Sequence, residues 1–466
     1  MSGNRPLARL LLCCAALAAG AADKPPPGDV LREFTPAAQQ RIERHLHDLG
    51  DEKSGVRREA QQQLATSPIL TSSHLVAALQ SDDPEIAQRA GELAGGLVEE
   101  NEKRLAEALT GIVTDSLKGE AAHLVDAFPA CVGNDRLRAG WRRAFLATCA
   151  TNDAPLLVAL LDSPLPPLRE SALTAGSRLN LPAVTSRRAA FLRDPDESVR
   201  FQTATMLLEE GDRAALPTLI DLLDSPTLSI RSRGHSILRS VTGRDSTFVA
   251  DDPPERRAGA VAGWREWLAG PGKDAPLTAG KAGPGAVTLA TPQELERWIA
   301  HTPDTKNVWS IRDGVLVCSG KGNGVLISPE PVMNYTLSYE WRWPGQNGDS
   351  GLFLGIEALG ADSLRAIEVQ MLAGAAGDFW RIGYYPGPDG KPLIPNHVPR
   401  AAEVADAAEN DWNLMEVTLL NGHLDVLVNG KKVNELDGLP AAPTHFGLQV
   451  EGTPFEIRRL RAEPLP

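Results

Sequence analysis

The chain has 466 residues, with 60 Asp and Glu against 47 Lys and Arg and a formal charge of −13. That is too long for one ordinary core, because domains average about 150 residues. So acidic a surface repels nucleic-acid phosphates and anionic lipid headgroups alike, and nucleic acid is set aside as a partner.

Residues 1–22 carry Arg5 and Arg9, then an apolar run from Leu10 to Ala19, then the small residues Gly20, Ala21 and Ala22. This pattern predicts a cleaved secretory signal and a periplasmic or secreted chain. The run is too short to span a bilayer, and no later apolar segment is long enough, so no transmembrane segment is expected in the mature chain. Three cysteines follow, Cys131, Cys149 and Cys318. The first two could form one disulfide or remain buried thiols, since a large core needs no staple.

From Phe34 to Gly270 an apolar residue followed by Arg opens a helix after an Asp- and Pro-containing turn. It recurs at Leu137, Leu168, Val199 and Ile230, a constant interval of 31 residues. The turns read DSPLPPLR from Asp162, DPDESVR from Asp194 and DSPTLSIR from Asp224, with looser copies at Asp51 and Asp82. A unit of two short helices cannot bury its apolar face alone and must stack on its neighbours. This half resembles HEAT-like repeats, which implies an α-solenoid over 34–270 whose surface suits an unidentified protein partner or serves as a spacer. Each repeated Arg is expected to pair with the Asp of a neighbouring turn. Trp264 and Trp267 are expected to cap the final core edge. His45 and His47, two apart on a helix, point in different directions and offer no shared metal site.

Residues 271–286, rich in Gly, Pro and Ala, read as a flexible linker. Beyond them the period changes to two, over 287–466. Asp313-Gly314, Asn421-Gly422 and Asn429-Gly430 mark tight turns, and GKGNG at 320–324 reads as a hairpin rather than a phosphate loop. Many short strands predict an all-β jelly-roll sandwich. Trp309 and Trp412, each opening an alternating run, are expected in its core.

Several pieces of this half recur in one order: Trp309 with Asp313-Gly314, DSG at 349–351, Glu368-x-Gln370, GDFW at 377–380, Trp412-Asn413, Asn429-Gly430 and the closing GLQVEGTPFEIRRLRAEPL from Gly447. With them the domain resembles the 3-keto-disaccharide hydrolase family of concanavalin-like sandwiches. The sequence departs from the family at Asp349, where Asn is common, at Gly355, where Arg is common, and at Ala373, where Asp is common. The resemblance implies cleavage of glycosides oxidised to a 3-ketone; no cofactor or metal is expected.

Ile367, Val369 and Met371 alternate with Glu368 and Gln370, so one strand face would be apolar and the other would present the carboxylate and carboxamide. Alternation allows Glu340, Glu368 and Glu451 to share one polar face with Arg342, Gln370 and Gln449. Glu368 is the expected base, and Gln370, Asp378 and Arg381 complete the expected catalytic set. Glu340, Arg342, Trp380, Gln449 and Glu451 are expected to bind substrate. Two other readings of these residues stay open, a carbohydrate-binding module without catalysis and a merely solvated sheet face.

Overall fold

The computed structural model describes residues 25–244, 246–277, 286–345, 347–357, 364–404 and 411–465. The expected signal segment and linker residues 278–285 lie outside them. Among the described residues no helix is long and apolar enough to cross a membrane. The chain divides into two compact units, Met1–Leu156 and Leu157–Pro466.

The first unit is helical. Its longest helices, Gly96–Thr114 and Asp135–Thr148, pack against each other through Leu105, Leu109, Trp141 and Phe145. Trp141 sits between Phe128 and Phe145, with ring centroids 4.6 and 5.0 Å away. Cys131 and Cys149 are buried free thiols.

The second unit begins with further helices, and here the 31-residue interval acquires a geometry. Leu168, Val199 and Ile230 are all buried. The Arg that follows each reaches back to the carbonyls of its own turn: Arg169 to Ser163 and Pro164, Arg200 to Asp194 and Pro195, Arg231 to Ser225 and Pro226. Arg57 does the same with Asp51 and Glu52 in the first unit. One guanidinium thus satisfies two carbonyls that the following helix leaves unpaired. The expected Asp partner is found once in full: Arg169 also makes a buried bidentate pair with Asp194 of the next turn, at 2.9 and 2.6 Å. Arg231 instead donates to the Ala250 carbonyl. Trp264 is fully buried at the last helix, Pro254–Ala269, with Trp267 edge-on beside it. The start of the expected linker is held down, because Arg213 donates to the carbonyls of Gly272, Lys273 and Ala275.

The rest of the unit is an antiparallel, jelly-roll-like β-sandwich. Its strands are β1 Val287–Thr288, β2 Ile299–Ala300, β3 Trp309–Arg312, β4 Val315–Cys318, β5 Asn323–Ile327, β6 Tyr335–Arg342, β7 Gly351–Ile356 and β8 Ala366–Gln370. They continue with β9 Phe379–Ile382, β10 His397–Val398, β11 Asn413–Leu420, β12 His423–Val428, β13 Lys431–Asp437, β14 His445–Glu451 and β15 Phe455–Pro464. One sheet runs β13-β12-β11-β6-β15-β4-β3, with β1 beside β15, and the other runs β10-β9-β8-β7-β14-β5-β2. The three predicted tight turns close β3–β4, β11–β12 and β12–β13, with positive φ at both central residues of each. Asn, Asp and Gly tolerate that conformation, which matches the twist of the paired strands.

Two expectations fail here. β4 and β5 belong to different sheets, so the Gly-rich 320–324 segment is a crossover, not a hairpin. Trp309 is core, 5.6 Å from Phe455, but Trp412 lies outside it under the guanidiniums of Arg342 and Arg458. A Trp at the start of a strand can open onto either face, and sequence does not choose. Between the sheets, Leu337, Tyr339 and Trp341 of β6 face a core that includes Leu352, Leu354, Ile367, Val369 and Leu448.

Candidate active site

The expected site residues divide between the two sheets. Glu340 and Arg342 are on β6, and the outer face of that sheet is covered by the helices of the same unit. Glu340 is 3% exposed and accepts from Arg233 at 2.7 Å, from Arg459 at 3.0 Å and from Arg458. Arg459 also binds Glu209 at 2.6 Å. A bulge in β15 between Arg458 and Arg461, with Arg459 at φ 55, lets two consecutive arginines meet one carboxylate. Burial alone pushes the Glu340 carboxyl up, but the three guanidiniums outweigh it and hold the group far below the usual range. Arg342 pairs with Glu456. These two residues therefore join helices to sheet and strand to strand, and are removed from the site.

The other sheet holds the site. Register aligns His397, Trp380, Glu368, Phe353, Gly447 and Ile327 in one row across β10, β9, β8, β7, β14 and β5. Cross-strand partners share a face. Next to this row, Val325, Ile327, Phe353, Ile356 and Ala366 form a small apolar cluster apart from the main core. Glu368 is 5% exposed, and its carboxyl makes no hydrogen bond or ion pair with a described residue. Gly351 makes room for it: a Cβ there would lie 2.2 Å from Oε1. Burial first, then the charges of Asp349 and Glu451, push the Glu368 carboxyl up to about 8. Glu451 is raised in the same way, by burial and by Asp349. Gln449 donates to Glu451 at 2.7 Å, while Gln449 Oε1 and Asp349 Oδ1 are buried without a hydrogen-bond partner among the described residues. Trp380, 39% exposed, stands next to Glu368.

The remaining expected residues have other partners. Gln370 Oε1 accepts from the Met371 and Leu372 amides at 2.7 and 3.0 Å, so the carboxamide folds the turn after β8. Asp378 accepts from the Arg400 amide at 2.9 Å and pairs with His397 Nε2 at 2.7 Å. Arg381 alternates to the side of β9 opposite Trp380 and donates to Gly383 O and Asn396 Oδ1. Gly355, the position of the missing arginine, has φ 71 and accepts the Tyr385 hydroxyl through its carbonyl. Any side chain there would strike that hydroxyl, since a Cβ on Gly355 would stand 2.1 Å from it. His397 was not foreseen: an isolated His in a Pro-rich stretch has no period or spacing to mark it.

Among the described residues one group has the spacing to hold an ion, His423, Asp425 and Glu435, whose ligand atoms lie within 4.8 Å of one another. Lys432 already pairs with both carboxylates, and Asp437 holds His423 at 2.7 Å.

Comparison with known proteins bears on the sandwich alone. No curated protein matches the chain. Among solved structures, a candidate glycosyl hydrolase of Parabacteroides distasonis is 19% identical over 36% of this chain and 99% of its own, with a TM-score of 0.27. A carbohydrate-binding module of Bacillus subtilis is 11% identical over 35% and 94%, with a TM-score of 0.26. A β-glucanase of Bacillus licheniformis is 10% identical over 34% and 83%, with a TM-score of 0.26. Residues 285–463, which span the sandwich, match the family model of the 3-keto-alpha-glucoside-1,2-lyase-like domain.

Proposed function

We propose that the sandwich cleaves glycosides whose sugar carries a ketone at C3, with Glu368 as a proton-transfer group. The observation that carries this is the setting of Glu368: a buried carboxyl with no partner among the described residues, flanked by two acidic side chains and an exposed indole, and pushed up to about 8 by that burial and those charges. A ketone at C3 acidifies the C2 hydrogen, so the glycosidic bond can break by elimination if a base takes that proton and an acid protonates the departing oxygen. The sequence suggested the base's role for Glu368. Its burial favours the acid's: at pH 7 roughly nine in ten such groups hold their proton. The orphaned acceptors Asp349 Oδ1 and Gln449 Oε1 suit sugar hydroxyls, because a buried acceptor without a donor costs about 1–3 kcal/mol. Trp380 offers a ring face to the sugar.

A second reading, a carbohydrate-binding module without turnover, is favoured by one observation. Gln370, Asp378 and Arg381 are all engaged with other protein groups. Incubating the full chain with a 3-keto-glucoside and with the unoxidised glucoside separates the two. Cleavage of the first alone supports the enzyme; binding of either without cleavage overturns it.

For the rest of the chain, the recurring Arg-to-turn geometry at a 31-residue interval supports HEAT-like stacking of the helices over 34–270, followed by a linker over 271–286. We assign that region to docking a protein partner, and the arginine-bearing apolar leader to export into the periplasm or medium. Pull-down from an extracellular or periplasmic fraction, and N-terminal sequencing of the mature chain, test these assignments.

A further inference from the structure

The row that contains Glu368 also contains a second group able to move protons. His397 and Glu368 flank Trp380 on one face of the sheet, His397 on β10 and Glu368 on β8. Two strand spacings separate their backbones by about 10 Å. The imidazole stacks on the indole, centroids 4.3 Å apart at 27°, which fixes its plane. Its Nε2 meets Asp378 Oδ2 at 2.7 Å, and the other Asp378 oxygen is held by the Arg400 amide at 2.9 Å. A carboxylate only accepts, so Nε2 carries the hydrogen and Nδ1 keeps its lone pair. Nδ1 makes no hydrogen bond to a described residue, and about a third of the side chain is open. A ring held by stacking, with its tautomer fixed by a buried carboxylate and one basic nitrogen free, has the construction of a general base.

We propose that His397, oriented by Asp378, is the base that removes the C2 proton of a 3-keto sugar bound over Trp380. This rests on the 3-keto-glycoside reading above and completes it. His397 Nδ1 takes the C2 proton and the C2–H electron pair becomes an enolate through C3. That enolate collapses to a C1–C2 double bond as the C1–O bond breaks, and Glu368 gives its proton to the departing oxygen. The products are an enone and an alcohol, with His397 protonated and Glu368 ionised. Hydrolysis follows if water then adds: its hydroxyl goes to C1, its proton to Glu368, and the His397 proton returns to C2. Asp378 acts only through His397 and is a positioning residue.

Other charged groups lie around the imidazole. Asp378 faces it from the end of β8–β9, and Glu368 lies beyond Trp380. Arg400 shows Asp378 its amide and turns its guanidinium to Glu403 and Ala376 O. Arg381 is on the other side of β9. The nearest charge is thus that of Asp378, on the side of the ring away from Nδ1.

The test uses the full chain and a 3-keto sugar with no aglycone, the 3-ketone of 1,5-anhydroglucitol, in D2O. Such a compound has no glycosidic bond to cleave, and exchange is read at C2, resolved from C4, the other carbon next to the ketone. NMR should show exchange with the wild-type protein and a loss of about 10²-fold or more with His397→Gln, while Glu368→Gln continues to exchange but no longer cleaves a 3-keto-glucoside. Quenching of tryptophan fluorescence by the sugar, lost in Trp380→Phe and retained in His397→Gln, shows that the variant is folded and binds. Asp378→Asn should lower kcat for exchange while leaving KM and sugar binding in place, a split that a purely structural role would not give. Exchange by His397→Gln at the wild-type rate, in a protein that cleaves 3-keto-glucosides, overturns the base assignment. A wild-type protein that neither exchanges nor cleaves overturns the functional reading itself.

Discussion

Glu340 and Glu368 are both glutamates in central strands, both nearly inaccessible, and on the outer faces of opposite sheets. Their neighbours make them opposites. Glu340 meets Arg233, Arg458 and Arg459 and stays ionised, whereas Glu368 meets Asp349 and Glu451 and keeps its proton to about 8. A buried carboxylate surrounded by guanidiniums holds a structure together. A buried carboxyl with no partner is a cost to folding, retained where chemistry uses it.

The largest contrast should come from the same exchange at the two positions. Glu368→Gln keeps the shape but carries no transferable proton, so cleavage of a 3-keto-glucoside should fall by about 10²–10⁴-fold. Steady-state kcat with an unchanged far-UV spectrum checks this. Glu340→Gln should instead cost about 3–5 kcal/mol of stability, because the buried carboxylate that gathers three guanidiniums is lost. Activity per folded molecule should hold, and urea melts beside rate measurements test both parts.

The two glutamates should also tilt stability with pH in opposite senses. The folded value of Glu368 lies above its unfolded one, so the folded state binds more protons between about pH 4.5 and about 8 and stability falls as pH rises through that window. Glu368→Gln should remove this decline, matching wild type near pH 4 and exceeding it near pH 9. The folded value of Glu340 is depressed, so its contribution is complete above the unfolded value and is lost as pH falls below it. Melting temperatures across pH 4–9 for the three proteins decide the matter.

Smaller effects sharpen the same division. Trp380→Ala should raise KM for the 3-keto-glucoside more than it lowers kcat, since a ring face binds but moves no proton. Arg342→Ala, on the opposite sheet, should leave both constants alone and cost within about 1 kcal/mol, the scale of a partly exposed pair.

The sequence made the change from helix to strand legible because the hydrophobic period itself changes, and the tight turns legible because Asn, Asp and Gly tolerate positive φ. It made Glu368 legible as the polar partner of Ile367 and Val369. It could not assign Glu340, since alternation says that two strands each have a polar face but not which sheet each strand joins. The helices that cover β6 are distant in sequence, and Arg233 lies 107 positions before Glu340. Gln370 and Asp378 were found as residues but not in their roles, because hydrogen bonds to a turn amide or to His397 depend on a fold that brings β10 beside β9.

The most direct test of the account is the titration of Glu368 itself. In full-length protein labelled with 13C at the glutamate side-chain carboxyl carbon, NMR from pH 4 to 10 should show one resonance moving with a midpoint near 8. That resonance should be missing from Glu368→Gln and unaffected by Arg342→Ala. If the resonance missing from Glu368→Gln instead completes its titration below about pH 5, Glu368 is an ordinary ionised side chain at neutral pH, and its assignment as the acid of the reaction is wrong.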